Sequence, residues 1–482
     1  MNKHNEIIVD TKFVSDFFNS DKTVSLPDYQ RPYVWDEEKI EQLLNDFNEH
    51  FFENGTFNDD IPYYLGGVLL YKSSESSIER FEIIDGQQRI STLLLLDYAW
   101  NKEESYLAQG NWNLEYTSSL SAAALRSNYK YLRSHSLQSK FNNKLKIIFS
   151  KLVFTVIITH SHDDSFTFFD SQNNRGVTLS AVDFLKSYHL RELKGEEKLQ
   201  RIFAKKWDSN NKSQFLDLLF NTVLWRNRSW KGTNLYYEYK DAVLNVFQKK
   251  TIKEDSNNTV RLYPNAFNVL ANSLDFHDSD GVIIMPGMLN IQTKAEQFPF
   301  SIRQPLQRGV GFFLYTEKYH AVYNILFKEE RFKEFIYLYE TLYKGVSPYL
   351  KSFFRMASVA YYDKFKDYKL VEFGLWLDYL LGSYRVKQHT IVRQTIVKIL
   401  REKSQNLLDV IEMAYRPEDV FSFIENITND DLYKDVNDYG TENGVRNIYR
   451  RNNLDFFNKV EKDNERINLG NKLSWIKEYG SK

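Results

Sequence analysis

An α+β protein, with a small α/β head followed by a large, mostly α-helical carboxy-terminal body, is the fold class this sequence predicts, and three observations carry it. Two apolar, β-branched runs, 63–71 and 79–84, flank the polar stretch Lys72-Ser73-Ser74-Glu75-Ser76-Ser77 in the manner of a hairpin. The second run breaks at Asp85-Gly86 and resumes as a helical pattern from Gln88 to about Trp100. Beyond about residue 195 helical periodicity dominates to the end.

Taken in chain order, the elements follow from local chemistry. Leu26-Pro27-Asp28-Tyr29-Gln30-Arg31-Pro32-Tyr33-Val34-Trp35 reads as extended, because two prolines exclude a helix interior. Asp36 then caps a helix whose Ile40, Leu43, Leu44, Phe47 and Phe51 form one apolar stripe facing a sheet. The segment 102–147 is polar and helical and reads as an insertion, after which Leu152 to Thr159 has strand character. Gly176 ends one helix and Ser180 starts the next, which runs through Asp183 and Lys186. Loops are expected near 250–260, 275–300 and 428–445, and the domains are expected at 1–195 and 196–482.

Composition narrows the function classes. The 63 basic and 64 acidic residues nearly cancel, so any nucleic-acid affinity has to come from local basic faces. Cysteine is absent, which excludes disulfide frameworks, thiolate metal sites and cysteine nucleophiles. No apolar run approaches the roughly 18 residues of a membrane span, and the expectation is a cytoplasmic protein with no membrane partner. The 32 Tyr, 36 Phe and 8 Trp are spread along the chain at helical spacing, as in 335–339 and 354–362, and read as helix-to-helix packing.

The strongest functional signal is Ile83-Ile84-Asp85-Gly86-Gln87-Gln88-Arg89-Ile90-Ser91-Thr92. A strand that stops at Asp-Gly and restarts as a helix gathers a carboxylate, two amides, a guanidinium and first-turn N–H groups around one point. Such a point suits a phosphate.

Successive motifs, Gln30-Arg31-Pro32-Tyr33-Val34-Trp35, Gly66-Gly67, Asp85-Gly86-Gln87-Gln88-Arg89 with Thr92-Leu93, and Asn173-x-Arg175-Gly176-x-x-Leu179-Ser180-x-x-Asp183-x-x-Lys186, resemble the signatures of the GmrSD-type restriction endonuclease amino-terminal domain. That domain is related to the ParB/sulfiredoxin-like superfamily, so the head is expected to be a ParB/sulfiredoxin-like domain. Phe300-Ser301-Ile302-Arg303-Gln304-Pro305-Leu306 with Gly309, Phe312 and Phe313 resembles the helical continuation. Sulfiredoxin chemistry is excluded, since its cysteine is missing.

The resemblance implies binding and hydrolysis of GTP or another nucleoside triphosphate with Mg2+, coupled to recognition of modified phage DNA. On this reading Asp85, Gln87, Gln88 and Arg89 are catalytic. Arg89 offers a planar fork to phosphate oxygens, Asp85 and Asn173 hold the metal, and Gln87 or Gln88 orients the attacking water. The nucleotide is bound by Gln30, Arg31, Tyr33, Trp35, Gly86, Thr92, Asn173, Arg175, Gly176 and Lys186. Tyr29, Gln30, Tyr33 and Trp35 are open between the base and a modified-DNA pocket. Each assignment has an ordinary structural alternative: an Asp85–Arg89 ion pair across a turn, Trp35 in the core, Asn173-Asn174 as a helix cap, Lys186 as a surface charge.

DNA contact is expected from local cations: Arg385, Arg393, Lys398 and Arg401 within a basic stretch at 385–403, Arg450 and Arg451 with Arg446, and a third group, Arg226-Asn227-Arg228-Ser229-Trp230-Lys231, that mixes cations with an aromatic. The last histidine is His389, and the 93 residues after it hold neither His nor Cys, so a ββα-metal nuclease cannot be built from them. A nuclease subunit acting in trans is therefore expected, or no nuclease at all, and homo-oligomerisation is a further possibility. The alternative function is a non-catalytic, nucleotide-gated DNA-binding protein of ParB type. His160-Ser161-His162-Asp163-Asp164 has metal-like composition but reads first as a solvated loop.

Overall fold

The computed structural model describes residues 7–20, 22–27, 30, 32–53, 55–73, 80–101, 104–107, 112–116, 118–141, 144–161, 180–193, 196–211, 214–235, 237–253, 260, 273–277, 281–285, 294–401, 405–428, 431–434, 436, 439–461 and 467–480. The chain divides into two compact units, Met1–Ser209 and Asn210–Lys482.

The first unit is built on a mixed sheet of six strands: β1 (Ile8–Phe13), β2 (Thr23–Ser25), β5 (Tyr63–Ser73), β6 (Arg80–Asp85), β7 (Trp112–Asn113) and β8 (Leu152–Thr159). Between β2 and β5, β3 (Phe52–Glu53) and β4 (Thr56–Phe57) make a separate two-stranded ribbon. The order across the main sheet is β1-β8-β5-β6-β2-β7. β5 and β6 form the expected antiparallel hairpin, while β5 and β8 run parallel.

Side chains alternate across a strand. Val68 and Leu70 of β5, Phe81 and Ile83 of β6, and Phe154 and Val156 of β8 thereby share one buried cluster with the stripe of helix α2 (Glu37–Phe51), namely Ile40, Leu43, Leu44, Phe47 and Phe51. Asp36 caps α2 by accepting from the Lys39 N–H, as its position requires. Further helices follow: α3 (Gln87–Asn101), α4 (Ser119–Ser134), α5 (Gln138–Phe141), α6 (Leu145–Lys151), α7 (Ala181–Arg191) and α8 (Glu197–Asn210). Ser180 and Asp183 close a capping box at the start of α7.

Two features of this unit differ from the sequence expectation. The polar segment read as a helical insertion contributes β7 to the sheet edge, where Trp112 pairs with Val24 and its indole N–H donates to the Phe18 carbonyl at 2.9 Å. β1, whose outer face is solvent-exposed, adds antiparallel to β8 over Ile8–Phe13. Both are pairings set by partners far along the chain, which periodicity does not reveal.

In the second unit, helices Val310–Lys328, Lys333–Leu342, Pro348–Phe365 and Leu370–Lys387 carry the bulk of the core. Aromatic rings interleave between them: Phe335 stacks on Phe354 at 5.8 Å and Tyr361 on Phe373 at 4.0 Å. Leu370–Lys387 is buried on nearly every side. Its Asp378 carboxylate is balanced by Lys472 and the Tyr449 hydroxyl, as a buried charge requires. Within the expected loop at 275–300, Ser273–His277 and Gly281–Met285 pair as an antiparallel hairpin.

Candidate functional site

The hairpin and α3 meet at the Asp85-Gly86-Gln87 corner, and the register explains its shape. Pairing between β5 and β6 starts at Leu69 opposite Asp85, so the earlier residues of β5 have no strand on that side. Carbonyls two residues apart in a strand point the same way. Arg89 supplies what a neighbouring strand would: Nη1 donates to the Leu65 carbonyl and Nη2 to the Gly67 carbonyl, each at 2.7 Å.

Glycine is needed twice for this. Gly66 sits at φ +104°, and a Cβ there would collide with Arg89 Nη1. Gly86, at φ +100°, turns the chain from β6 into α3, and a Cβ there would lie 3.0 Å from Val68 Cγ2. The Gly-Gly motif and the Asp-Gly-Gln-Gln-Arg motif are thus two halves of one packing arrangement.

The 30–35 segment docks onto the same corner. Gln30 Nε2 donates to the carbonyls of Ile83 (2.6 Å) and Ile84 (2.8 Å) at the end of β6. Gln88 answers from α3: its Oε1 accepts from the N–H groups of Val34 (2.9 Å) and Trp35 (3.2 Å), and its Nε2 donates to the Pro32 carbonyl (3.1 Å). Tyr33 is fully buried, its hydroxyl bonded to Thr92 Oγ1 (2.8 Å) and to Asn128 Nδ2 (3.1 Å). Burial pushes the Tyr33 phenol up, and pushes the neighbouring Tyr116, whose hydroxyl meets Ser91, up to about 12. Trp35 packs against the core cluster while its carbonyl accepts from Asn128 at 2.7 Å.

Several expected ligands are therefore committed to the fold. Arg89 cannot present its whole fork to a phosphate, because two of its N–H groups bridge β5 carbonyls. It also stands 3.9 Å from Asp85, the ion pair that the sequence left open. Gln88 is a clamp on the 32–35 backbone: its Oε1 already accepts two N–H groups, which leaves that oxygen unsuited to accept from a water. Lys186 is 3 % exposed, its ammonium bonded to Asp208 at 2.9 and 3.2 Å and to the Gln30 carbonyl at 3.3 Å; it is neither a surface charge nor an open anion ligand. Arg31, Asn173, Arg175 and Gly176 lie outside the described residues, as do Tyr29, Asn174 and His162 to Asp164 of the histidine-rich loop.

Two groups at the corner remain uncommitted. The Asp85 carboxylate is partly exposed, and among the described residues its charged partner is Arg89, 3.9 Å away. Gln87 is buried, yet its Oε1 has no hydrogen-bond partner. Both lie at the amino-terminal, positive end of α3, Asp85 at the surface and the Gln87 oxygen enclosed.

The cations assigned to DNA divide into two kinds. Arg385 is 2 % exposed and donates to the carbonyls of Gln388 and His389 (2.8 Å to the latter). Arg450 is 3 % exposed and is held by Glu461 at 2.5 Å and the Ile467 carbonyl at 2.7 Å. Neither reaches a DNA surface, because each serves as an internal strut. Arg393 pairs with Glu238 (2.7 Å) over the Tyr237 ring, whereas Lys398, Arg401 and Arg451 are exposed.

Sequence reading missed the second half of the 30–35 clamp, Ser121 and Asn128 of α4, together with Asp208. The signal was present for α4: Ser121, Leu125, Asn128 and Leu132 fall at i, i+4, i+7 and i+11, placing two polar residues in an apolar stripe. A polar group in such a stripe needs a buried partner, and Tyr33 provides one, its N–H donating to Ser121 Oγ at 2.9 Å.

A mixed-sheet head with this interlocked corner, followed by a helical body, defines a protein with a restriction-type amino-terminal domain: residues 14–190 match the model of the GmrSD restriction endonuclease, N-terminal domain. The chain belongs to a family of unknown function (DUF7834), whose model matches residues 199–441, half of its length. It is also similar to the uncharacterized protein MJ0686 of Methanocaldococcus jannaschii, with 32 % identity over 108 residues, 20 % of this chain and 18 % of that one. The chain thus spans about a fifth of the length of the curated relative it matches. Among the described residues, no helix is long and apolar enough to cross a membrane.

Proposed function

We propose that this protein is the nucleoside-triphosphate-binding and -hydrolysing sensor component of an antiphage, modification-dependent restriction system. GTP or another NTP is its substrate, Mg2+ its metal, and a nuclease partner does the cutting. The restriction-type domain at 14–190 supports the system. The buried, partnerless Oε1 of Gln87, two residues from the partly exposed Asp85 carboxylate, carries the chemistry.

An amide oxygen of this kind accepts from a water and fixes its lone pair toward the γ-phosphate. Between the two glutamines offered by the sequence, the geometry favours Gln87, since Gln88 is spent on the 32–35 backbone. Among the described residues no group of three or more His, Asp or Glu gathers to hold a metal alone. A single carboxylate suits a magnesium ion that keeps most of its water and arrives with the triphosphate, and Asp85 would hold it. Such an ion would neutralise charge on the transferred phosphoryl group.

The second reading is a nucleotide gate of ParB type without turnover. Arg89 favours it, because a guanidinium engaged on Leu65 and Gly67 has less left to stabilise a transition state. Thermal unfolding with each of the four ribonucleoside triphosphates and Mg2+ tests binding. At a hundredfold excess over its dissociation constant, the true ligand raises stability by about 2.7 kcal/mol. Asp85→Ala should abolish that gain; an equal gain in wild type and variant removes the site.

A further inference from the structure

We propose that β1 is a docking edge for a second copy of this chain, the two β1 strands running antiparallel with Thr11 on the two-fold axis. β1 ends one side of the six-stranded sheet: it pairs with β8 from Ile8 to Phe13, and among the described residues no strand covers its other side. Such an edge carries a row of N–H and C=O groups that invites another strand. The usual guards are missing. β1 has no proline and no shift of register, and its one cation, Lys12, is balanced by Asp10 at 3.7 Å.

β1 also exposes apolar side chains. Val9 is 62 % exposed and Phe13 40 %, and their β8 partners, Ile157 and Val153, alternate with the core residues Phe154, Val156 and Ile158, so both lie on the face of the sheet turned away from the core cluster. The patch continues inward from the edge: Val153, opposite Phe13, is also opposite Tyr64 of β5, itself 60 % exposed. The Tyr64 hydroxyl meets Thr155 Oγ1 at 3.1 Å on this same face, and Thr155 is the partner of Thr11.

The occupant follows from the strand's complementarity to itself. A two-fold axis normal to the sheet keeps both outer faces on one side, and it then runs through a residue opposed to its own copy. With the axis at Thr11, Asp10 meets the partner's Lys12 and Lys12 meets the partner's Asp10, so four charges alternate around the axis. On the other face Val9 meets the partner's Phe13, and Phe13 the partner's Val9. Two opposite-charge pairs and two apolar pairs form at once. Moving the axis to Asp10 or to Lys12 sets like charges opposite each other. The register also ends where the strand does, since the helix Val14–Phe18 begins directly after Phe13. Five residues a side make a small interface, so the association is reversible and depends on concentration.

This inference is independent of the corner at Asp85. Sedimentation equilibrium of the full chain from about 1 to 200 µM tests it, and the mass should rise with concentration from one chain toward two. Asp10→Lys and Lys12→Asp, each alone, set like charges opposite one another and should weaken self-association about tenfold or more. The double variant, Asp10→Lys with Lys12→Asp, restores both pairs and should associate as wild type does. An equimolar mixture of the two single variants should do the same through mixed dimers. The Asp10 and Lys12 side chains are 54 % and 31 % exposed, so these variants should melt close to wild type, which keeps the comparison clean. Val9→Lys, on the other face, should weaken association with both charge pairs intact. A single-chain mass over the whole range, association unchanged in both single variants, or no recovery in the double variant and the mixture overturns the docking edge.

Discussion

The Arg89 guanidinium occupies the space that a side chain at Gly66 would need. The pair joins two motifs more than twenty residues apart into one unit, and it makes the stability of the corner depend on both. Gly66→Ala must relieve a collision and adopt φ +104°, at a cost of about 1–3 kcal/mol. Arg89→Ala strips the Leu65 and Gly67 carbonyls of their donors and should cost about 2–4 kcal/mol. Urea unfolding midpoints of the two variants check both. Wild-type stability of Arg89→Ala would show that the guanidinium acts on ligand alone.

Much of this fold was legible because it depends on near neighbours. The Asp36 cap, the α2 stripe, the 63–85 hairpin, the strand Leu152–Thr159 and the Ser180 capping box are all set within a few residues. The partners of Gln30 and Gln88, 53 to 56 positions away, are set by the folded sheet and leave no mark on local pattern. Charge was the least informative signal, since a cation in a sequence does not say whether water or a carbonyl surrounds it. Arg385 did offer a hint: it follows Leu375–Tyr384, a mostly apolar run in which every residue is buried.

The two glutamines should separate cleanly. Gln88→Ala leaves the Val34 and Trp35 N–H groups and the Pro32 carbonyl without partners and should lower stability by about 2–4 kcal/mol. Gln87→Ala removes an amide whose oxygen bonds nothing and should change stability by about 1 kcal/mol or less. Differential scanning calorimetry distinguishes them, and equal losses would contradict the division of roles.

Lys186 and Asp208 form a buried pair that ties α7 to α8. Lys186→Met takes the ammonium away from the buried carboxylate and should cost about 3–5 kcal/mol, while the double replacement Lys186→Met with Asp208→Leu should recover most of it. A double-mutant cycle read by chemical denaturation decides the point. Additive losses would mean that the two charges do not interact.

Acid sensitivity should trace in part to His320. Burial, then the charge of Lys328, lowers its imidazole to about 4 from an ordinary value near 6.5. The folded state therefore binds fewer protons than the unfolded chain between these values. The stabilising contribution is complete above pH 6.5 and is lost as pH falls toward 4. His320 is partly solvent-exposed, so screening reduces the effect to about 1–2 kcal/mol. Comparing urea midpoints at pH 7 and pH 4.5 for wild type and His320→Gln, the variant should lose less on acidification; parallel losses would exonerate the histidine.

Turnover is the most direct test of the corner. Phosphate release from GTP, ATP, CTP and UTP should be measured for wild type and Gln87→Ala under conditions where both bind nucleotide. Wild type should hydrolyse at least one of the four, and Gln87→Ala should bind that nucleotide as well but turn it over about 100-fold more slowly. Equal rates in the two proteins, or no triphosphate bound by wild type, would contradict the assignment of Asp85-Gly86-Gln87 as the site of hydrolysis.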